Sequence, residues 1–304
     1  MSHAFSRYTL LWLVLLLIPA CAVNPYATTN RVYKKQAKAL ARTLWEAPET
    51  EAEIYPEGDY WVGATNFNMR KPNFVIIHHT AQDSTAQTLK TFTTPATSVS
   101  AHYVIGRDGK VYHMLNDYLR AWHAGSGSWG NNTDINSSSI GIELDNNGNE
   151  PFADAQINSL LLVLEMLKKK HNIPAANFIG HADIAPSRKV DPSPVFPWKK
   201  LAENGFGLWY DADVLDSVLV AKTYAVTDTT TLLDSLVALE YVPVHDSVPD
   251  TFHPQDALRI IGYDTKDMAA AIRAFKLHFI QTEINAVLTP NDKKILYNLY
   301  RKFL

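Results

Sequence analysis

Apolar residues fill the chain almost without a break from Thr9 to Ala20, and no later stretch could span a bilayer. About 12 residues fall short of the roughly 20 that a membrane helix needs. With Arg7 and the amino terminus before it, the stretch predicts an export leader. Further on, the apolar positions come in bursts. Phe74–His79 is a compact β-branched run, as a buried strand should be. Ser84 followed by Gln87 predicts a capped helix to about Phe92. Residues 102–106 and 111–115 flank Arg107-Asp108-Gly109-Lys110 and predict a hairpin. Ile140–Leu144 and Phe178–His181 read as further strands. Between them Ile157, Leu160, Leu161, Leu164 and Leu167 keep helical spacing, with Asp154 as the expected cap and Lys168–Lys170 at the favourable end for the helix dipole. Strands interleaved with helices predict an α/β core.

The texture changes near residue 228. Thr227–Thr231 reads as a linker, and the pattern beyond it predicts helices at Leu232–Leu239, Pro254–Ile261, Asp267–Phe279 and Asn291–Phe303. Ile272, Phe275 and Phe279 share one face, and Ile295, Leu299 and Phe303 another. The expectation is a small C-terminal helical bundle over 228–304. On the amino-terminal side, 22–64 reads as a tether and extension. It includes a basic stretch, 31–45, that predicts a short helix with Val32, Leu40 and Leu44 as apolar contacts. The α/β part is then expected over 65–227.

Composition narrows the classes. The chain has 304 residues and a formal net charge of −3, so nothing in it points to nucleic acid, and nothing demands an obligate protein partner. Cys21 is the single cysteine, so no internal disulfide can form. It closes the leader as Ile18-Pro19-Ala20-Cys21, which resembles a bacterial lipobox in which the cysteine becomes the lipidated first residue; residues 1–21 would then be the signal. Pro19 departs from the usual pattern, and an ordinary signal peptide containing a cysteine is the competing reading.

Four residues at or just beyond strand ends suggest chemistry: His78, Glu143, His181 and Asp191. Two imidazoles and a carboxylate make a three-ligand set for catalytic zinc with a fourth position open. His78 and His79 point to opposite faces of a strand, so only one can readily join His181, and periodicity alone does not choose. Without further information, a strand-end histidine is more often a packed core residue, and Glu143 more often a salt-bridge partner.

Longer strings bear on that choice. Val75-Ile76-Ile77-His78-His79-Thr80-Ala81, Ser100-Ala101-His102-Tyr103, Trp122-His123-Ala124-Gly125, Ser139-Ile140-Gly141-Ile142-Glu143, and the run from Gly180-His181 through Arg188-Lys189-Val190-Asp191-Pro192 occur in order. Together they resemble the type-2 N-acetylmuramoyl-L-alanine amidases, over roughly residues 65–200. The resemblance implies a central mixed sheet flanked by helices. It implies a zinc ion held by His78, His181 and Asp191, with Glu143 as general base and Lys189 as a cation for the oxyanion. It places His79, Thr80, Trp122, His123 and Arg188 along the substrate cleft. The reaction implied is hydrolysis of the amide between N-acetylmuramic acid (or its 1,6-anhydro form) and L-alanine, so the partners are peptidoglycan and muropeptides. Asp183 is either an orienting group or a loop cap, while His102 and Tyr103 read as core. Ser193 stands where relatives usually have glycine, which is expected to affect the cleft edge. Leu258–Tyr263 and Ala274-Phe275-Lys276 resemble a three-helix peptidoglycan-binding domain, although the glutamine usual after that phenylalanine and a glycine near Ala286 are missing. Together with Cys21 and the Ala22 that follows it, the resemblance implies a lipoprotein of the outer membrane facing the periplasm. The competing functions are a non-catalytic wall-binding protein on the same fold and a structural lipoprotein joining membrane to wall.

Overall fold

The computed structural model describes residues 24–45, 64–66, 68–225, 235–244 and 247–304. Cys21 and the expected linker at 227–231 lie outside them. Two units are present, one ending at residue 67 and the other running from Asn68 to Leu304. In the first, helix α1 (Ala27–Thr43) carries Arg31, Lys34, Lys35, Lys38 and Arg42, no acidic residue and no buried residue. Val32, Leu40 and Leu44 are exposed, so among the described residues the apolar contacts expected of them are not made.

The second unit is built on a five-stranded sheet: β1 (Phe74–His79), β2 (Tyr103–Ile105), β3 (Val111–His113), β4 (Ser139–Leu144) and β5 (Phe178–Gly180), in the order β3-β2-β4-β1-β5. Only β3 runs antiparallel. Central parallel strands must be apolar on both faces, and β1 and β4 are. Val75, Ile77, Ile140, Ile142 and Leu144 pack on one side against Leu160, Leu164 and Leu167 of α4 (Asp154–His171). Asp154 is the first helical residue rather than the cap; the cap is Ala153, and the carboxylate serves the helix dipole. Two short helices, α2 (Thr85–Thr93) and α3 (Ile135–Ser138), precede β4. Ser84 Oγ accepts from Gln87 N as the sequence predicts.

Directly after β5 comes α5 (His181–Ile184), then α6 (Trp198–Glu203). Of the helix expected at Leu232–Leu239, the described residues, from Ser235 on, form a strand instead. β6 (Ser217–Ala225) and β7 (Ser235–Pro243) form a nine-residue antiparallel hairpin. The leucines at 232, 236 and 239 mimic a helical face, but Val237, Tyr241 and Val242 favour extended backbone, and β6, unremarked in the sequence, supplies the partner. Three helices follow: α7 (Pro254–Ile261), α8 (Met268–Phe275), which continues through a π-helical turn Lys276–Ile280, and α9 (Pro290–Arg301). They share a core with the sheet, where Ile76 and Ile179 pack in one cluster with Leu258, Ile261, Tyr263, Phe275 and Leu299. The sheet is thus covered by α4 on one face and by the C-terminal helices on the other.

Candidate active site

Sheet alternation decides which residues meet. On β1, Val75 and Ile77 face α4, so Ile76 and His78 face the other way. On β4, Ile140 and Ile142 face α4, which sends Ser139, Gly141 and Glu143 to the same side as His78. Parallel register then places His78 directly opposite Glu143. Because β1 also pairs with β5, the chain leaving β5 brings His181, the first residue of α5, alongside. Asp191 is fixed by the amide of Ala182, which donates to the Asp191 carbonyl at 2.8 Å. These are carboxyl ends of parallel strands, the usual place for ligands in such sheets.

His78 Nδ1 lies 2.8 Å from His181 Nδ1 and 3.2 Å from Asp191 Oδ2, and His181 Nδ1 lies 3.1 Å from the same oxygen. All three residues are buried. Hydrogen bonds on their outer sides fix which nitrogens face inward. Ser139 Oγ donates its one proton to Ile135 O (2.6 Å), so toward His123 Nε2 (3.1 Å) it accepts. His123 Nε2 therefore carries the hydrogen, and Nδ1 is left to accept from His78 Nε2 at 3.1 Å. That places a lone pair on His78 Nδ1. His181 Nε2 donates to Ala124 O at 3.1 Å, leaving its Nδ1 for a lone pair as well. Two lone pairs and a carboxylate oxygen converge with no donor among them, which is a donor set for a cation. Tetrahedral zinc with bonds near 2.05 Å would separate such ligands by roughly 3.3 Å, so the set fits that ion.

The electrostatics agree. Burial and the neighbouring His181 push His78 down to about 4, so it is uncharged near neutrality. His123 is driven well below the usual range by burial and by His78. Burial opposes ionisation of Asp191, but its bonds to His181 and His78 overcome this and hold it well below the usual carboxylate range. Glu143 goes the other way: burial first, then the charge of Asp191, raise it to about 8 against the pull of Lys189. Lys189 thus lies within electrostatic reach of Glu143, His78 and His79.

Other expected cleft residues are distributed unevenly. His79, on the opposite face of β1, accepts from Ser193 N through Nδ1 at 3.1 Å. Ser193 has a negative φ, so the absence of glycine there causes no backbone conflict. Thr80 Oγ1 donates to Asn146 O. Trp122 is 55% exposed and presents an open aromatic face. His123 sits behind His78, buried against β4, rather than on an open face. The room it needs comes from Gly141, where a Cβ would lie 2.4 Å from the imidazole. Arg188 NH2 donates to Ala124 O (2.7 Å) and Ser126 O (2.6 Å), pinning the glycine-rich loop. Asp183 touches neither metal-facing imidazole; it caps its own turn, accepting from Gly180 N at 2.7 Å. His102 and Tyr103 are buried and hydrogen-bonded, as expected.

Sequence reasoning missed two contributors. Arg70, four residues before β1, donates to the carbonyls of Asp117, Tyr118, Leu119, Ser137 and Ser139, tying the loop before the site to the start of β4. Ser139 sets the tautomer of His123. Its period-two spacing from Gly141 and Glu143 was a signal that could have revealed it.

Comparison with known proteins places this geometry. Residues 68–194 match the N-acetylmuramoyl-L-alanine amidase family model. The chain is 33% identical over 246 residues to N-acetylmuramoyl-L-alanine amidase AmiD of Escherichia coli, covering 75% of this chain and 82% of that one. It is 41% identical over 103 residues to the 1,6-anhydro-N-acetylmuramyl-L-alanine amidase AmpD of Enterobacter cloacae, covering 34% of this chain and 55% of that one. Among solved structures, E. coli AmiD in complex with anhydro-N-acetylmuramic acid-L-Ala-D-gamma-Glu-L-Lys superposes with a TM-score of 0.60 at 27% identity, over 79% of this chain and 93% of the other. AmpDh3 of Pseudomonas aeruginosa gives 0.62 at 26%, over 82% and 98%. With the fold, the buried His-His-Asp cluster and this similarity over most of its length, the chain belongs to the N-acetylmuramoyl-L-alanine amidase family.

Proposed function

We propose that the protein hydrolyses the amide joining the lactyl group of N-acetylmuramic acid to L-alanine in peptidoglycan fragments, and that it accepts the 1,6-anhydro form. The convergence of His78, His181 and Asp191 opposite Glu143 carries the reading. The ligands in two similar solved structures, an anhydromuramyl tripeptide and an anhydromuramic pentapeptide, support the anhydro substrate. His78 Nδ1, His181 Nδ1 and Asp191 Oδ2 would hold zinc. When bound, the ion supplies Lewis acidity toward the scissile carbonyl and an attacking water.

The chain's own residues do the rest. Glu143 has its proton affinity raised toward neutrality, which suits a group that takes a proton from water and passes it to the leaving amine of L-alanine. Lys189 brings positive charge to the same corner, where the substrate oxygen becomes negative. Trp122 offers an open face on which a sugar ring or stem peptide can stack. The residues facing the ion keep the protonation states they need through His123, Ser139 and Ala124.

We further propose that Cys21 is acylated and that the enzyme works from the outer membrane toward the periplasm. The lipobox-like Ile18–Cys21 and the uncharged Ala22 support this.

Purified protein lacking residues 1–21 should release stem peptide from anhydromuropeptides, lose activity to a chelator and regain it with zinc. Full activity in His181→Ala would remove the metal assignment; no activity in zinc-loaded protein would favour a binding-only role. For the anchor, Cys21→Ser should move the protein from membranes to the soluble fraction, and an unmodified mass at the mature amino terminus would refute acylation.

A further inference from the structure

The C-terminal helices reach the metal half-site at three places. Asp183, buried and two residues past His181 on α5, accepts from Tyr263 Oη through Oδ1 at 2.7 Å, and through Oδ2 from both Gly180 N and His278 Nδ1, each at 2.7 Å. Tyr263 follows α7, and His278 lies in the π-helical turn after α8. The imidazole of His278 is stacked between Trp198, at 3.9 Å, and Phe279, at 4.1 Å. Its Nε2 has no hydrogen-bond partner, so its polar function is the Nδ1–H aimed at Asp183. Next, Gln281, held at a φ of 63°, donates to the carbonyls of Pro194 (2.8 Å) and Phe196 (2.6 Å), in the loop just after Asp191. Finally, Gly262 presses its backbone against Trp129, where a Cβ would lie 2.3 Å from the indole, and its carbonyl accepts from Gly130 N at 2.8 Å. That fixes the far end of the glycine-rich loop whose Ala124 carbonyl accepts the hydrogen bond from His181 Nε2.

We propose that Tyr263 and His278 are positioning residues for the metal half-site, acting through Asp183 on His181, and that the C-terminal helices are a working part of the catalytic unit. A carboxylate receiving three donors leaves the first turn of α5 one orientation, and His181 is the first residue of that turn. Removing a donor frees Asp183 to rotate, shifting Gly180 and with it His181 Nδ1. Supporting groups of this kind typically change metal affinity 10- to 100-fold. The residues that make the tail resemble a wall-binding module are engaged here: Leu258, Ile261, Tyr263, Ala274 and Phe275 are buried in the core shared with the sheet.

The proposal rests on the metal reading of His78, His181 and Asp191, and the test separates the two. Zinc affinity is measured on the chain lacking residues 1–21 by competition with a chromophoric chelator, alongside the melting temperature of the metal-free protein. Tyr263→Phe and His278→Leu are expected to weaken zinc binding about tenfold or more. His278→Asn, whose side-chain amide can reproduce the Nδ1–H donor, should restore affinity to within a few-fold. Leu299→Ala, buried in α9 and with no part in the hydrogen bonds to Asp183, should lower the melting temperature without changing zinc affinity. Wild-type affinity in Tyr263→Phe and His278→Leu would overturn the proposal, as would an equal loss in Leu299→Ala, which would reduce the effect to general destabilisation. Failure of the unaltered chain to bind zinc would overturn the metal reading itself, and the proposal with it.

Discussion

Glu143 carries opposite consequences for catalysis and for stability. Its carboxyl is raised to about 8, mainly by burial and then by Asp191. An acid whose pKa is higher folded than unfolded contributes fully below its ordinary value, near 4.5, and loses that contribution as pH rises through about 8. In the presence of chelator, Glu143→Gln should therefore be more stable than wild type at pH 9. The advantage should disappear near pH 4, and thermal melts across that range check both ends; a pH-independent difference would contradict it. The same substitution should lower turnover of the zinc-loaded protein by roughly 100-fold or more if Glu143 moves the proton. Ser139 makes a subtler case. Ser139→Ala leaves His123 Nε2–H without its acceptor and loosens the tautomer chain to His78. Zinc affinity should fall about tenfold with little change in fold, measured by chelator competition. The two residues were unequally legible. Glu143 could be assigned because its string resembles a family; Ser139 could not, because its role depends on a histidine 16 positions away and on where its one proton goes.

Among the elements, β4 carries the site most directly. Its α4 side is all isoleucine and leucine, and its other side reads Ser139, Gly141, Glu143. Gly141→Ala would drive a methyl into His123, and overpacking of that kind costs about 1–3 kcal/mol. Loss of both melting temperature and zinc affinity is expected, and an unaffected variant would show that His123 is free to move. Strands β1 and β4 and helix α7 were legible because burial on both faces or a clean helical stripe writes itself into the local sequence. The β6–β7 hairpin was not, since strand pairing is a property of two segments and the leucine spacing at 232, 236 and 239 by itself fits a helix. His123 was expected along the substrate cleft because the string Trp122-His123-Ala124-Gly125 resembles the family's. The deciding fact was Gly141, distant in sequence, which opens the space that buries it. Arg70 escaped for a similar reason: its five carbonyl partners lie between residues 117 and 139, which no local pattern joins to residue 70.

At the scale of the molecule, the segment matching the family model, 68–194, ends before the helices that cover one face of the sheet. Produced alone, it would deprive Ile76 and Ile179 of the C-terminal part of their shared core, and Asp183 of Tyr263 and His278. Such a fragment should show no cooperative thermal transition, whereas residues 68–304 should melt as one; calorimetry distinguishes them, and a cooperative transition of 68–194 would mean that the shared core is dispensable.

The parallel pairing of β1 with β5 also has a bearing on how the protein matures. The atoms that would receive a metal come from residues 78, 181 and 191, and the groups that steady them come from as far along the chain as 263, 278 and 281. A loop of about a hundred residues must close before His78 meets His181, and contacts of that separation form late. A chain threaded through a membrane in unfolded form would therefore cross without its ion. It would take up metal only after nearly all of it had arrived, from whatever supply exists on the side where it folds, so metal availability in that compartment, rather than in the one where synthesis occurs, would set the fraction of active enzyme.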